Sequence, residues 1–107
     1  MKITDVSAFV LQLPVITDAA DGTQDTCLIK IDTDEGISGW GEVDSSPTVA
    51  KAVIDAPMSH GIANGLANAL VGEDPLAIEA CMDRMWEKAN YYGRAAVGTH
   101  AMAGINL

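Results

Sequence analysis

The sequence predicts an α+β fold, a three-stranded antiparallel meander followed by a helical bundle. Between Thr26 and Thr33 the side chains alternate, with Cys27, Ile29 and Ile31 on one side and Thr26, Lys30 and Asp32 on the other. From Ile78 onward the period changes, and Ile78, Cys81, Met82, Met85, Trp86 and Ala89 recur at helical spacing as one apolar stripe. Strand signals come first and helix signals after them, which is the order of an α+β domain and not of alternating βα units.

Residues 2–13 read as the first strand, rich in Val, Phe, Leu and Ile and closed by Pro14. Val15 to Gln24 holds Thr17, Asp18, Asp21 and Gly22 without any period, and reads as a polar loop. Residues 25–33 form the second strand; Leu28 interrupts its polar side, so that face is expected to be partly covered. Thr33-Asp34-Glu35-Gly36 is a hairpin turn with Gly where a positive φ is needed, and residues 37–43 form the third strand. Ser46-Pro47 reads as a capped helix start with Pro at the first helical position, followed by Val49, Ala50, Val53 and Ile54, and Pro57 ends that helix. Ser59 reads as the cap of a second helix whose Ile62, Leu66, Ala69 and Leu70 share a face, ended by Gly72. Asp74-Pro75 opens a third. A fourth begins after Arg94, with Val97, Ala101 and Ile105 at a spacing of four. The expected interior is Cys27, Ile29, Ile31, Ile78, Met82, Met85 and Trp86.

A chain of 107 residues holds one domain at most. Its formal net charge of -9 argues against nucleic acid or an anionic membrane surface as a partner, because both need clustered Lys and Arg. The basic residues Lys2, Lys30, Lys51, Arg84, Lys88 and Arg94 are instead scattered. No apolar run approaches the roughly 20 residues of a membrane span. Thr4, Asp5 and Ser7 interrupt any signal-peptide pattern, so a cytoplasmic location is expected. Cys27 and Cys81 fall on a strand and a helix face and read as buried thiols, not a bridge.

Few residues carry chemistry on their own. Asp32-Thr33-Asp34-Glu35 fails as a calcium loop, since the sixth and twelfth positions are Ile37 and Val43 where Gly and Glu are required. Gly36, Gly39 and Gly41 lie in and beside a strand and open no helix, which excludes a phosphate loop. Glu42 and Asp44 sit two apart and share a face; paired carboxylates serve acid–base chemistry, or simply face solvent or cap the next helix. His60 and His100 have no ligand-spaced neighbours and read as surface or cap residues. Tyr91-Tyr92-Gly93-Arg94 reads as a helix C-terminus, with Gly93 left-handed and Arg94 near the last carbonyls. The apolar pattern of the fourth helix is still running at Leu107 with no cap after it, which points to a front piece of something longer. Its row Val97, Ala101, Met102, Ile105 and Leu107 is expected to pack partly on this domain and partly on a second, downstream domain.

Several stretches together resemble a known family. Lys2-Ile3-Thr4-Asp5-Val6, Asp34 through Glu42, Val71-Gly72-Glu73-Asp74-Pro75 with Ile78-Glu79, Tyr91-Tyr92-Gly93-Arg94 and Ala103-Gly104-Ile105-Asn106-Leu107 fall in its order. Over nearly its whole length the chain resembles the N-terminal part of the mandelate racemase and muconate lactonising enzymes of the enolase superfamily. The resemblance implies an enolase N-terminal-like fold, with residues 1–93 as a capping domain and 94–107 as the start of the helix leading into a (β/α) barrel.

In that family a Lys or His base on the barrel removes the proton α to a carboxylate, and Asp or Glu ligands hold Mg²⁺ against the enediolate. No two Lys lie two apart here, so the resemblance implies no catalytic residue and no metal ligand in this chain. It implies Mg²⁺ only in the full-length parent, a bacterial, cytoplasmic homo-oligomer acting on a small carboxylate. The Tyr-Tyr-Gly-Arg form resembles the sugar-acid dehydratase branch, with racemases beside it. The loops after the first and third strands would shape the substrate pocket, which nominates Thr17, Asp18, Ser45 and Ser46 for substrate contact. The alternative is a free-standing α+β binding or interaction module without catalysis.

Overall fold

The computed structural model describes residues 1–18, 23–93 and 95–107. Its sheet contains β1 (Ile3–Gln12), β2 (Asp25–Thr33) and β3 (Ser38–Val43) in the order β1-β2-β3. Both pairings are antiparallel, so the meander is present, with edges within one or two residues of those predicted. After it come α1 (Pro47–Asp55), α2 (Leu66–Leu70), α3 (Ile78–Lys88), a 3₁₀ turn at Asn90–Tyr92 and α4 (Val97–Asn106).

Register decides which face the helices cover. Ala8 opposes Ile29 and Val6 opposes Ile31, while Cys27, Ile29 and Ile31 oppose Val43, Gly41 and Gly39. This is the inner face, and Val6, Ala8, Cys27, Ile29 and Val43 are buried on it. α1 adds Ala50 and Ile54, α2 adds Leu66 and Leu70, and α4 adds Ala101, Met102 and Ile105. Each large apolar side chain removed from water in this way contributes about 1.5–3 kcal/mol. The outer face carries Ser7, Lys30 and Trp40 in one row and Phe9, Leu28 and Glu42 in the next. There the Phe9 and Trp40 rings lie 6.1 Å apart, and Lys30 Nζ stands 5.8 Å from the Trp40 ring centre. Leu28, opposite Phe9, is half-buried, as its place on the polar side suggested.

The hairpin behaves as its residues require. Gly36 takes φ 76°, Gly36 N–H donates to Thr33 O, and Thr33 N–H donates to Ile37 O at 3.1 Å. Ser38 Oγ–H donates to Asp32 Oδ1 at 2.5 Å and Lys30 Nζ lies 3.1 Å from the same oxygen. The Ser38 hydrogen bond first, and Lys30 second, hold the Asp32 carboxyl below its ordinary value.

α4 lies against β3 with almost no space between the two backbones. A methyl group at Gly41 would overlap the carbonyl oxygen of Gly104. One at Gly104 would come within 2.5 Å of Val43 Cγ2 and 2.7 Å of Ile29 Cδ1. The two glycines face each other, so helix and strand approach at a distance no side chain permits.

Several expectations are corrected. Ile78 is 57% exposed and Trp86 39% exposed, so neither is interior; Met82 and Ile31 are half-buried. α3 packs on α2 and on α4; Met85 and Ala89 are buried, while Ile78 and Trp86 keep part of their surface in solvent. Ser59 caps no helix. Ser59 N–H donates to Ala63 O, Ala63 N–H donates to His60 O, and α2 begins at Leu66 after Gly65. Gly65 is pressed against the Ala56 carbonyl, where a side chain would overlap, and its extended backbone (φ -63°, ψ 148°) breaks the helical pattern, leaving Ile62 exposed.

α3 also starts later than Asp74-Pro75. Asp74 Oδ1 accepts from Leu76 N–H and Asp74 O from Ala77 N–H, closing a separate turn first. Gly93 has the positive φ expected (92°), but ψ 156° is extended and not left-handed helical. Arg94 lies outside the described residues. Cys27 is buried and Cys81 only half-buried; both are free thiols, and burial pushes both up from their ordinary value. The α4 row is mostly absorbed within this domain: Ala101, Met102 and Ile105 are buried, Val97 is half-buried, and Leu107 is 82% exposed.

The packing and the hairpin each lead to a measurable outcome. Gly41→Ala and Gly104→Ala should each lower unfolding free energy by about 1–3 kcal/mol in urea titrations, as overpacked cores do. Gly39→Ala, with nothing within 4 Å of the added methyl, should not. The lowered Asp32 value contributes stability above the ordinary carboxyl value of 3.8, and that contribution is lost as pH falls through the lower folded value. The stability gap between the wild type and Asp32→Asn should therefore be open at neutral pH and close in strong acid, which urea titrations across pH would show.

Candidate functional site

In an antiparallel meander the first and third strands end where the second begins. Gln12 pairs with Asp25, and Cys27 with Val43, so the chain leaves β1 and β3 at one end of the sheet. The loop after β1 is tied to its own return. Leu13 N–H donates to Gln24 O at 2.8 Å, and Thr17 N–H donates to Gln24 Oε1 at 2.8 Å. Asp18 is exposed just beyond, and residues 19–22, with Asp21 and Gly22, lie outside the described residues.

Two open clefts flank this end. One, of about 390 Å³, lies between the end of β1 and the start of β2, with Gln12, Thr23, Gln24 and Thr26 on its walls. The other, of about 410 Å³, lies between the end of β3 and α4 and is lined by Glu42, Asp44, Ser45 and His100 over a floor that includes Val43 and Ala103. Glu42 stands on the rim of both. Ser45 Oγ–H donates to Asp44 Oδ1 at 3.2 Å.

The predicted contact residues are therefore distributed unevenly. Ser45 lines the second cleft with Asp44, whereas Thr17 and Asp18 stand on the neighbouring loop and line neither cleft. Ser46 heads α1, but not as an ordinary cap. Its backbone is left-handed (φ 50°, ψ 57°), its side chain makes no capping bond, and its carbonyl accepts from Val49 and Ala50 N–H.

His100, read from sequence as an isolated surface residue, proves to share a cleft with two carboxylates. The signal for it was indirect, since it precedes Gly104 by one turn and so lies on the face α4 turns to β3. His60 packs edge-on against Tyr91, ring centres 5.5 Å apart, away from this end. Among the described residues no group of three or more His, Cys, Asp or Glu side chains is placed to hold a metal ion. Among the same residues no helix is long and apolar enough to cross a membrane.

Solved structures share this architecture, and curated relatives share part of the sequence. The predicted mandelate racemase from Rhodobacter sphaeroides superposes with a TM-score of 0.86 at 30% identity, covering 98% of this chain and 27% of that one. The N-succinyl-L-Arg/Lys racemase of Bacillus cereus is 31% identical over 90 residues, 79% of this chain and 24% of that protein. The D-galactonate dehydratase of Variovorax paradoxus is 37% identical over 81 residues, 73% of this chain and 18% of that protein. The sequence profile of the mandelate racemase / muconate lactonizing enzyme N-terminal domain matches residues 3–107, and the chain belongs to that family, within the enolase superfamily. It spans about a quarter or less of the length of the curated relatives it matches.

The backbone at Ser46 has a measurable consequence. An ordinary Ser cap loses about 1 kcal/mol on replacement by Ala. Ser46→Ala should cost little in thermal or urea denaturation, because no cap bond exists to lose, whereas Ser46→Gly should stabilise by up to about 1 kcal/mol by relieving the left-handed strain.

Proposed function

We propose that this chain is the substrate-capping domain of a longer Mg²⁺-dependent enzyme that removes the proton α to a carboxylate of a sugar acid, as a dehydratase or a racemase. Residues 1–93 would form the cap, and 94–107 the start of the helix leading to the barrel that carries the chemistry. The observation that carries this reading is the convergence of the loops after β1 and β3 at one end of the sheet, beside polar clefts, in a chain that belongs to this family. Relatives named for galactonate dehydration and for N-succinyl amino-acid racemisation both support it, and the former favours sugar acids.

The metal would supply charge stabilisation for the enediolate. The residues of this chain would do different work. Closing the loops over the barrel mouth would exclude water and strengthen every polar contact inside. Thr17, Asp18, Ser45 and Ser46 offer hydroxyl and carboxylate groups to the hydroxyls of a polyol. Glu42 and Asp44 belong to this binding surface; the catalytic base would belong to the barrel. The parent is further proposed to be a cytoplasmic homo-oligomer, consistent with the free thiols of Cys27 and Cys81.

Alanine replacement of Thr17, Asp18, Ser45 and Ser46 in the longer protein tests the assignment. Steady-state kinetics on its best sugar acid should show kcat/KM falling about tenfold for the residues that hold substrate. Unchanged kcat/KM in all four variants would overturn the contact assignment, and no turnover of any sugar acid by the longer protein would overturn the function.

A further inference from the structure

The loops after β1 and β3 do not account for everything at this end of the sheet. His100 comes from neither loop, yet it lines the same cleft as Glu42, Asp44 and Ser45. Its position is unusually constrained for an exposed residue. Gly104, one turn later on the same helix face, is locked against Val43, Ile29 and the backbone of Glu42. The close approach of α4 to β3 therefore fixes how near the His100 side chain stands to the exit of β3, whatever the loops do.

The groups in this cleft have a definite chemical preference. Carboxylates such as those of Glu42 and Asp44 offer acceptor oxygens, while an imidazole both accepts and donates. Ser45 already donates to Asp44 and keeps accepting capacity. Vicinal hydroxyls, each a donor and an acceptor, match such a set. A second carboxylate does not, because among the described residues no Lys or Arg lines the cleft and two like charges already do. The volume of about 410 Å³ is in the range of small-molecule sites.

Resting on the reading of this end as substrate-facing, we infer that His100 is a specificity-determining residue of the site. From α4 it hydrogen-bonds the distal hydroxyls of a polyhydroxy monocarboxylate, and Glu42 and Asp44 beside it turn away acids with a second carboxylate at that end. The cap thus reads the substrate with a helix as well as with its loops. It favours aldonates over aldarates.

The test uses the longer protein, supplied with magnesium, and a panel of aldonates, the matching aldarates and aldonates shortened by their distal carbons. The wild type should prefer aldonates. His100→Ala should lower kcat/KM for the best full-length aldonate about tenfold, the scale of one hydrogen bond. It should leave the shortened acid within about twofold, and His100→Asn should recover part of the loss. Asp44→Asn should shift the aldarate-to-aldonate ratio of kcat/KM toward aldarate by about tenfold.

A purely structural role for His100 would lower the full-length and shortened acids together, and that result would overturn the inference. So would a wild-type preference for aldarates, or no effect of His100→Ala on any acid that is turned over. If the protein turns over no sugar acid at all, the function proposed above fails, and this inference fails with it.

Discussion

The contact between Gly41 and Gly104 sets the geometry on which the rest of the domain depends. A helix normally rests on a sheet through its own side chains, and here one turn of α4 meets β3 at Gly104, with no side chain of its own between them. That brings Met102 and Ile105 down onto Ile29 and Val43, and it lets α1 pack against both β1 and α4. Interiors are close-packed and tolerate little added volume, so the pair of glycines acts as a gauge for the spacing of the layers. Residues on the same face of α4, His100 among them, inherit their positions from it.

The two ends of the sheet differ in physical character. The hairpin end is closed, with Thr33 bonded to Ile37 and Asp32 held by Ser38 and Lys30. The opposite end is open, acidic and lined by loop and helix residues. The free edge of β1 is partly covered, since Ile3 bonds with Gly72 and Glu73 and Lys51 Nζ donates to Ala8 O. Such coverage blunts an edge that would otherwise invite pairing with another chain. The domain is thus closed by hydrogen bonds where it turns back on itself and open where its loops emerge.

The chain belongs to the family and covers only a small share of each relative's length. Under the function proposed above, it would act on chemistry it does not perform, through the shape and charge of the surface it presents. The surface here is negative and rich in hydroxyl acceptors, and among the described residues no Lys or Arg lines its β3–α4 cleft. Under the same proposal, its contribution to specificity would be electrostatic as much as steric.

Much of this was legible in the residues. Alternation from Thr26 to Thr33, the turn at Gly36 and the stop at Pro57 are local effects, imposed by pleat geometry, by a positive φ and by the pyrrolidine ring, and they appear where local rules put them. Local rules failed where a neighbour from elsewhere intervened. Ile62 carries a helical period that Gly65 overrides because Ala56 presses on it, and Ile78 and Trp86 are apolar positions that the fold leaves partly in solvent. Ser46 has the residue type of a cap and a backbone that prevents it from acting as one. By itself the sequence determined the order, type and approximate limits of the strands and of most helices, together with the acidic character of the molecule, because these depend on residues close in the chain. Only the tertiary structure decided which side chains meet at the open end of the sheet. His100 and Asp44 are 56 residues apart by their numbers, and the distance between them is set by two glycines in contact, which no period or motif encodes.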